Sequence, residues 1–88
     1  MAKKRSDIEV SADILKAAIS GLKKSHIVYQ TNLNHKVADK YIDHLRESSL
    51  IAGPSGKRKI YSTTEKGLRY LQLLEGLQQY TNGVALMP

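Results

Sequence analysis

The residues best suited to chemistry are cations gathered at turns and along one helix face. Lys57, Arg58 and Lys59 follow directly on Gly53-Pro54-Ser55-Gly56, while Lys24 and Ser25, then Asn34, His35, Lys36 and Lys40, stand earlier in the chain. Ammonium and guanidinium groups neutralise phosphates, and Asn, His and Lys side chains can also hydrogen-bond base edges. Such a set suits a polyanionic partner. Bond-breaking chemistry finds no comparable set, because no acid pair is marked for burial and no nucleophile stands beside a base in a recognisable pattern. No enzyme is expected. His26, His35 and His44 invite a metal reading, but their nine-residue spacing does not put two ligands on one helix face, and the chain has no cysteine to complete a set. Solvated or nucleic-acid-contacting histidines are the better account, so neither metal nor cofactor is expected. Gly56-Lys57 is not a phosphate-binding loop either, since Ile51 holds the place of the first glycine and Arg58 that of the Ser/Thr.

The cations of residues 25–49 must be carried by two short helices joined by a polar turn. Ser25 is the expected cap of the first helix, because its hydroxyl can accept a first-turn N–H. The turn falls at Thr31-Asn32-Leu33-Asn34, with Asn34 capping the second helix. There Val37, Tyr41 and Leu45 recur every fourth residue with Ala38 and Ile42 beside them, which makes one face to bury. Lys36, Asp39, Lys40, Asp43 and Glu47 fall on the opposite face. A short helix, a turn and a longer helix with a polar outer face is the helix-turn-helix layout, whose second helix enters the DNA major groove. The acids temper that expectation. Asp39 and Asp43 either face the groove, where an acid can accept from cytosine N4, or only make helix-surface ion pairs with their lysine neighbours; the second reading is preferred for Asp43.

Around this pair the rest of the chain falls into place. Met1 to Arg5 reads as a basic solvated tail in preference to a DNA-gripping arm. Ser6-Asp7-Ile8-Glu9 has the spacing of a capping box, and opens a helix expected to run to about Ser20 with Ile8, Ala12, Leu15, Ile19 and Leu22 as its buried stripe. Gly21 is its expected stop. After Ser49 the period changes: Leu50-Ile51-Ala52, a turn at Gly53-Pro54-Ser55-Gly56, and a returning strand Lys57-Arg58-Lys59-Ile60-Tyr61 make a hairpin with a basic tip. On that strand Lys57 and Lys59 would point to one side and Arg58 to the other. A hairpin after a helix-turn-helix is a wing. The last helix is capped by Ser62 with Glu65, or alternatively by Thr64, and is expected to reach Thr81 before Asn82-Gly83. Leu68 and Leu71 lie on one side of it. Tyr70, Leu73, Leu77, Tyr80 and Val84 recur at heptad spacing on another, with Leu74 near them. A second copy is the economical cover for that seam.

Composition sets the outer limits. Eighty-eight residues allow one small domain with a marginal core, and without Cys, Phe or Trp the core rests on Leu, Ile, Val and five tyrosines. Oligomerisation is therefore a sensible expectation. The formal charge is +6 and favours a polyanionic partner. No apolar run is long enough to span a bilayer, and the basic start lacks the hydrophobic stretch of a signal peptide. A soluble, cytoplasmic, nucleoid-associated protein is expected.

The chain resembles the small archaeal winged-helix DNA-binding proteins of about ten kilodaltons that dimerise through a C-terminal antiparallel coiled coil. The resemblance is carried by the basic start and Asp13-Ile14-Leu15, by Ser25-His26-Ile27-Val28-Tyr29, and by Asn32-Leu33-Asn34. Lys36, Asp39-Lys40-Tyr41 and Thr64-Glu65-Lys66-Gly67 continue it, so that it covers nearly the whole chain. It implies a mainly α fold with a small β-hairpin, a long fourth helix, and a dimer on double-stranded DNA. The departures are Gly76 inside the seam and Asn82-Gly83 at its end. The expected organisation is a basic tail (1–5), a winged helix-turn-helix domain (6–62), a dimerisation helix (63–82) and a short tail (83–88). DNA contacts are expected from Lys24, Ser25, Asn34, His35, Lys36, Lys40, Lys57, Arg58 and Lys59. The dimer contact is expected from Tyr70, Leu73, Leu74, Leu77, Tyr80 and Val84. The function expected is that of a transcriptional regulator or a nucleoid-associated protein. The alternative is a winged-helix protein-interaction module, kept open because Lys36, Lys40 and Arg46 are matched by Asp39, Asp43 and Glu47 along the outer helix.

Overall fold

Ser6 opens the first helix with both arms of the expected capping box: the Glu9 N–H donates to Ser6 Oγ at 3.1 Å, and the Ser6 N–H donates to Glu9 Oε1 at 3.2 Å. In the computed structural model, which describes residues 5–85 and side chains as far as Leu77, the helix α1 spans Asp7–Ala17. It ends earlier than the apolar spacing predicted because its last carbonyls are taken by a strand. The Thr63 N–H donates to the Ala18 carbonyl, and the Thr63 hydroxyl to that of Leu15. The buried stripe is corrected with it. Val10, Ala12, Ile14, Leu15 and Ala18 are buried, whereas Ile8 and Ile19 are about half exposed, at 52% and 51%. Two apolar series interleave in this segment, and the one containing Ile14 faces the core.

After Gly21, whose φ of +87° suits glycine, Leu22–Lys23 forms a short strand, β1. Its two residues pair with Tyr61 and Ile60 of β3 (Ile60–Thr63), which pairs on its other edge with β2 (Ile51–Ser55). The result is a three-stranded antiparallel sheet in the order β1-β3-β2, one strand more than the expected hairpin. The helix α2 (Lys24–Thr31) begins directly on β1. Its cap is therefore Lys23, with no side-chain bond, and Ser25 is already inside the helix rather than capping it. Asn32, left-handed at φ 57°, closes α2, and half-buried Leu33 packs on the core. Asn34 then starts α3 (His35–Glu47) by accepting the Val37 N–H on its side-chain oxygen at 2.8 Å. Both ends of the predicted turn are thus accounted for.

At the far end of α3 a left-handed Ser49 lets the Leu50 N–H reach the Leu45 carbonyl at 2.8 Å, a Schellman closure that turns the chain into β2. The wing differs from expectation in one respect. Gly53-Pro54-Ser55 belongs to the strand, beside an irregularity in register between Ala52 and Ser55, and the turn is made by residues 56–59. Gly53 sits at φ +130°, where a Cβ would lie 2.6 Å from the Ile60 carbonyl oxygen. Turn-forming residue types are used here for a bulge, which moves the reversal toward the cations.

Helix α4 (Glu65–Ala85) is capped by Thr64, the second of the two predicted alternatives, whose hydroxyl accepts the Gly67 N–H at 3.0 Å. The same hydroxyl donates to the Ser49 carbonyl, the Thr64 N–H to that of Leu50, and Lys66 Nζ to that of Ser48. A Cβ on Gly67 would collide with the Leu50 carbonyl oxygen, so the helix start lies flush against the α3–β2 connection. One core joins these elements, with Ile14, Leu15, Ile27 and Ile42 fully enclosed, and Leu45, Ile51, Tyr61 and Leu71 closing it.

Candidate nucleic-acid interface

Helix α3 presents its faces as the spacing predicted. Ala38, Ile42 and Leu45 are buried, and Val37 and Tyr41 are half-buried on the inner side. At 3.6 residues per turn, Lys36, Lys40, Asp43 and Glu47 form the outermost line, and all four are exposed. His35 is exposed at the first turn. Asn34 beside it has its oxygen committed to the cap, which leaves its amide nitrogen as a donor.

The two flanking acids are paired, by different partners. Asp43 lies 3.7 Å from Arg46 on its own helix, a helix-surface ion pair as expected, but with an arginine in place of the lysine neighbours. Asp39 instead meets Lys24 across the helix-turn-helix, with Nζ and Oδ1 2.6 Å apart. The Asp39 carboxylate in contact with it holds the pKa of Lys24 above its ordinary value; partial burial works against this, and the charge of Asp43 adds to it. Nothing in sequence marked this pair, because its members stand on separate helices. Ser25 is exposed in the first turn of α2.

In the wing, Lys57, Arg58 and Lys59 are all exposed and all lie in the turn of residues 56–59, closed by the Lys59 N–H on the Gly56 carbonyl at 3.2 Å. The expected alternation of these three along a strand is corrected, because Lys59 sits at φ 53° in the turn itself and the strand resumes only at Ile60. The turn therefore presents three cations in succession with no acid among them. Lys23, absent from the expected contact residues, is exposed on β1 opposite Ile60, a strand of two residues that carries no local signal. Arg5, counted with the tail, donates to Asp13 and to the Thr31 carbonyl, each at 2.8 Å, and ties the chain to the end of α2. Met1–Lys4 lie outside the described residues.

The opposite flank of α3 borders an open groove of about 670 Å³ between α1, α3 and α4, lined by Asp7, Lys40, Tyr41, His44 and Tyr70 among others. The Tyr41 hydroxyl donates to Asp7, which raises its pKa, with burial and the Asp7 charge adding to the effect. His26, His35 and His44 are exposed, and among the described residues no three His, Cys, Asp or Glu side chains are grouped to hold a metal.

On α4, Leu71 enters the core, and Tyr70 and Leu74 pack against it half-buried. Leu73 and Leu77 do not, at 71% and 62% exposed. The expected seam thus divides into a part that the domain covers and a part that it leaves open. The side chains of Tyr80 and Val84, also named for the seam, lie outside the described residues.

Comparison with known proteins bears on this geometry. The winged helix-turn-helix family matches residues 4–82. The chain is similar to the crystal structure of Sso10a-2, a DNA-binding protein from Sulfolobus solfataricus. That match has 27% identity and a TM-score of 0.81, over 92% of this chain and 86% of that one. It shares its fold with the PcaV transcriptional regulator from Streptomyces coelicolor, at 21% identity and a TM-score of 0.73, over 89% of this chain and 60% of that one. A MarR family regulator from Neisseria meningitidis, NMB1585, matches at 24% identity and a TM-score of 0.61, over 90% of this chain and 61% of that one. The chain therefore spans about three fifths of the length of these two regulators. No curated protein matches the chain.

Proposed function

Because this chain belongs to the winged helix-turn-helix family, we propose that it binds double-stranded DNA as a homodimer, as a transcriptional regulator or a nucleoid-associated protein. The observation that carries the proposal is the wing turn: Lys57, Arg58 and Lys59 project from an otherwise small domain with no acid among them. Three adjacent cations are suited to a phosphate backbone or the minor groove beside it. The outer line of α3 enters the major groove, with Asn34, His35, Lys36 and Lys40 toward base edges and Ser25 toward the backbone. Among the described residues no helix is long and apolar enough to cross a membrane.

The homodimer uses α4. Leu73 and Leu77 are large apolar side chains in water, and each fully buried would contribute about 1.5–3 kcal/mol. A second copy offers the same stripe, and a two-fold pair of α4 helices sets two reading helices on related half-sites. Gly76 has open space around its Cα and weakens the helix by about 1 kcal/mol relative to alanine, so the contact is concentration-dependent.

One observation favours a second reading. The cations and acids of α3 cancel in formal charge, which suits a protein-interaction module as well as a groove reader. Binding to random duplexes and to sequences enriched from a random pool separates these readings. The proposal expects measurable affinity for every duplex and tighter binding to the enriched set. Absence of duplex binding at low salt would leave the protein-interaction reading.

A further inference from the structure

Lys24 stands at the first turn of α2, where a cation would ordinarily meet the DNA backbone, yet its ammonium is 2.6 Å from Asp39. Both partners are partly exposed, Lys24 at 40% and Asp39 at 47% of the side chain, and the Asp39 oxygen that Lys24 touches is shielded from solvent while the pair is closed. If Lys24 left for a phosphate, the Asp39 carboxylate would keep its charge with no cation beside it. It would also stand between Lys36 and Lys40, on a helix whose charges already cancel, and repel the approaching phosphates. The neighbouring groups give no relief. Arg46 is engaged with Asp43, and the charge of Asp43 adds to the hold on Lys24.

We infer that Asp39 is a specificity-determining residue that acts as a fixed counterion: it keeps Lys24 out of the phosphate contact and so limits how tightly this face binds DNA of any sequence. The inference rests on the DNA-binding reading given above. Its physical content is that a neutral internal pair contributes no counterion release, since released counterions track only the protein cations that neutralise phosphates. Discrimination then improves because the sequence-independent part of the affinity is smaller, while base contacts from the first turns of α3 are untouched.

A charge cycle on the full-length protein tests this, using a random-sequence duplex across a salt series from 50 to 200 mM. Asp39→Asn keeps the shape of the side chain and removes its charge. It should tighten binding and steepen the slope of log K against log salt by about 0.9 per protomer, the value of one new phosphate contact. Lys24→Gln should weaken binding through the exposed acid and leave the slope as in the wild type. The decisive variant is Lys24→Gln with Asp39→Asn, which exchanges one neutral pair for another. It should return to the wild-type affinity and slope. A double variant whose slope is shallower by about 0.9 per protomer would show that Lys24 already meets a phosphate, and would overturn the inference. An unchanged slope in Asp39→Asn would do the same. Circular dichroism of each variant separates unfolding from a change at the DNA-binding face, and Asp39→Glu serves as a second route should Asp39→Asn unfold: a restored pair should restore the wild-type slope, and a steeper slope in it counts against the inference. Wild-type protein that binds no duplex removes the DNA-binding reading and this inference together, whereas wild-type binding with an indifferent Asp39→Asn removes this inference alone.

Discussion

Along α3 three cations alternate with three acids, and two of those acids are held by Arg46 and Lys24; in the wing turn three cations follow one another with no acid in reach of the sequence. The helix is capped at its start by Asn34 and closed at its end by the Schellman turn at Ser49. The wing tip is a four-residue turn at the end of two short strands. The contrast teaches how a small domain divides its labour. On the proposed reading, charge without geometry, as in the wing, would raise affinity for any duplex, whereas geometry with cancelled charge, as in α3, would add little affinity but reject a wrong base.

The largest expected effect would act on both regions at once. Leu77→Asp places a charge in the open part of the α4 stripe, and should yield monomers whose circular dichroism is that of the wild type. Because both domains then bind singly, duplex affinity should fall by roughly a hundredfold or more. Sedimentation and duplex binding check the two parts, and a variant that stays dimeric would place the contact elsewhere.

Next in size is removal of the wing cations. Lys57→Ala with Arg58→Ala and Lys59→Ala should weaken all duplexes by a similar factor, and flatten the salt slope by about 0.9 for each phosphate no longer neutralised. Their side chains are exposed, so the melting temperature should hardly move. A large change in the ranking of sequences would break the proposed division between wing and helix.

A smaller and differently shaped change is expected from α3. Lys36→Ala or His35→Ala should alter relative affinity among sequences by about 1–3 kcal/mol at one base position, with a modest change on random DNA. Uniform weakening across sequences would instead make α3 a second backbone-binding element, and a chromatin-type role the better account.

The smallest effect concerns the platform beneath these side chains. Asn34→Ala deletes the acceptor of the Val37 N–H, and should cost about 0.5–2 kcal/mol in thermal or denaturant unfolding. Asn34→Asp retains the acceptor and should keep most of that stability. Comparing the two in duplex binding isolates what the amide nitrogen gives to DNA.

Much of this platform was legible in local sequence, wherever a residue satisfies its own neighbours. Ser6 with Glu9, Asn34 with Val37, and Thr64 with Gly67 are bonds within three residues; spacing predicts the first two, and for the third it left Ser62 and Thr64 as alternatives. Long-range pairing was not legible. The strand at Leu22–Lys23 exists because β3 pairs with it, and its presence displaces the start of α2 to Lys24. The end of α1 is set by Thr63, and the choice between its two apolar series by the core. At the wing, Gly53-Pro54 has the residue types of a turn, but serves a bulge within the strand. The candidate cations themselves could be named from sequence; the engagement of Lys24 could not, because its partner comes from the next helix.

The most direct measurement is the affinity of the wild type and of the triple wing variant for one random-sequence duplex between 50 and 200 mM salt. The wild type should lose at least about tenfold over that range, as expected for release of the counterions of two or more phosphates, and the wing variant should lose markedly less. Wild-type affinity indifferent to salt, or equal slopes for the two proteins, would contradict the central claim that the wing cations of this chain grip the DNA backbone.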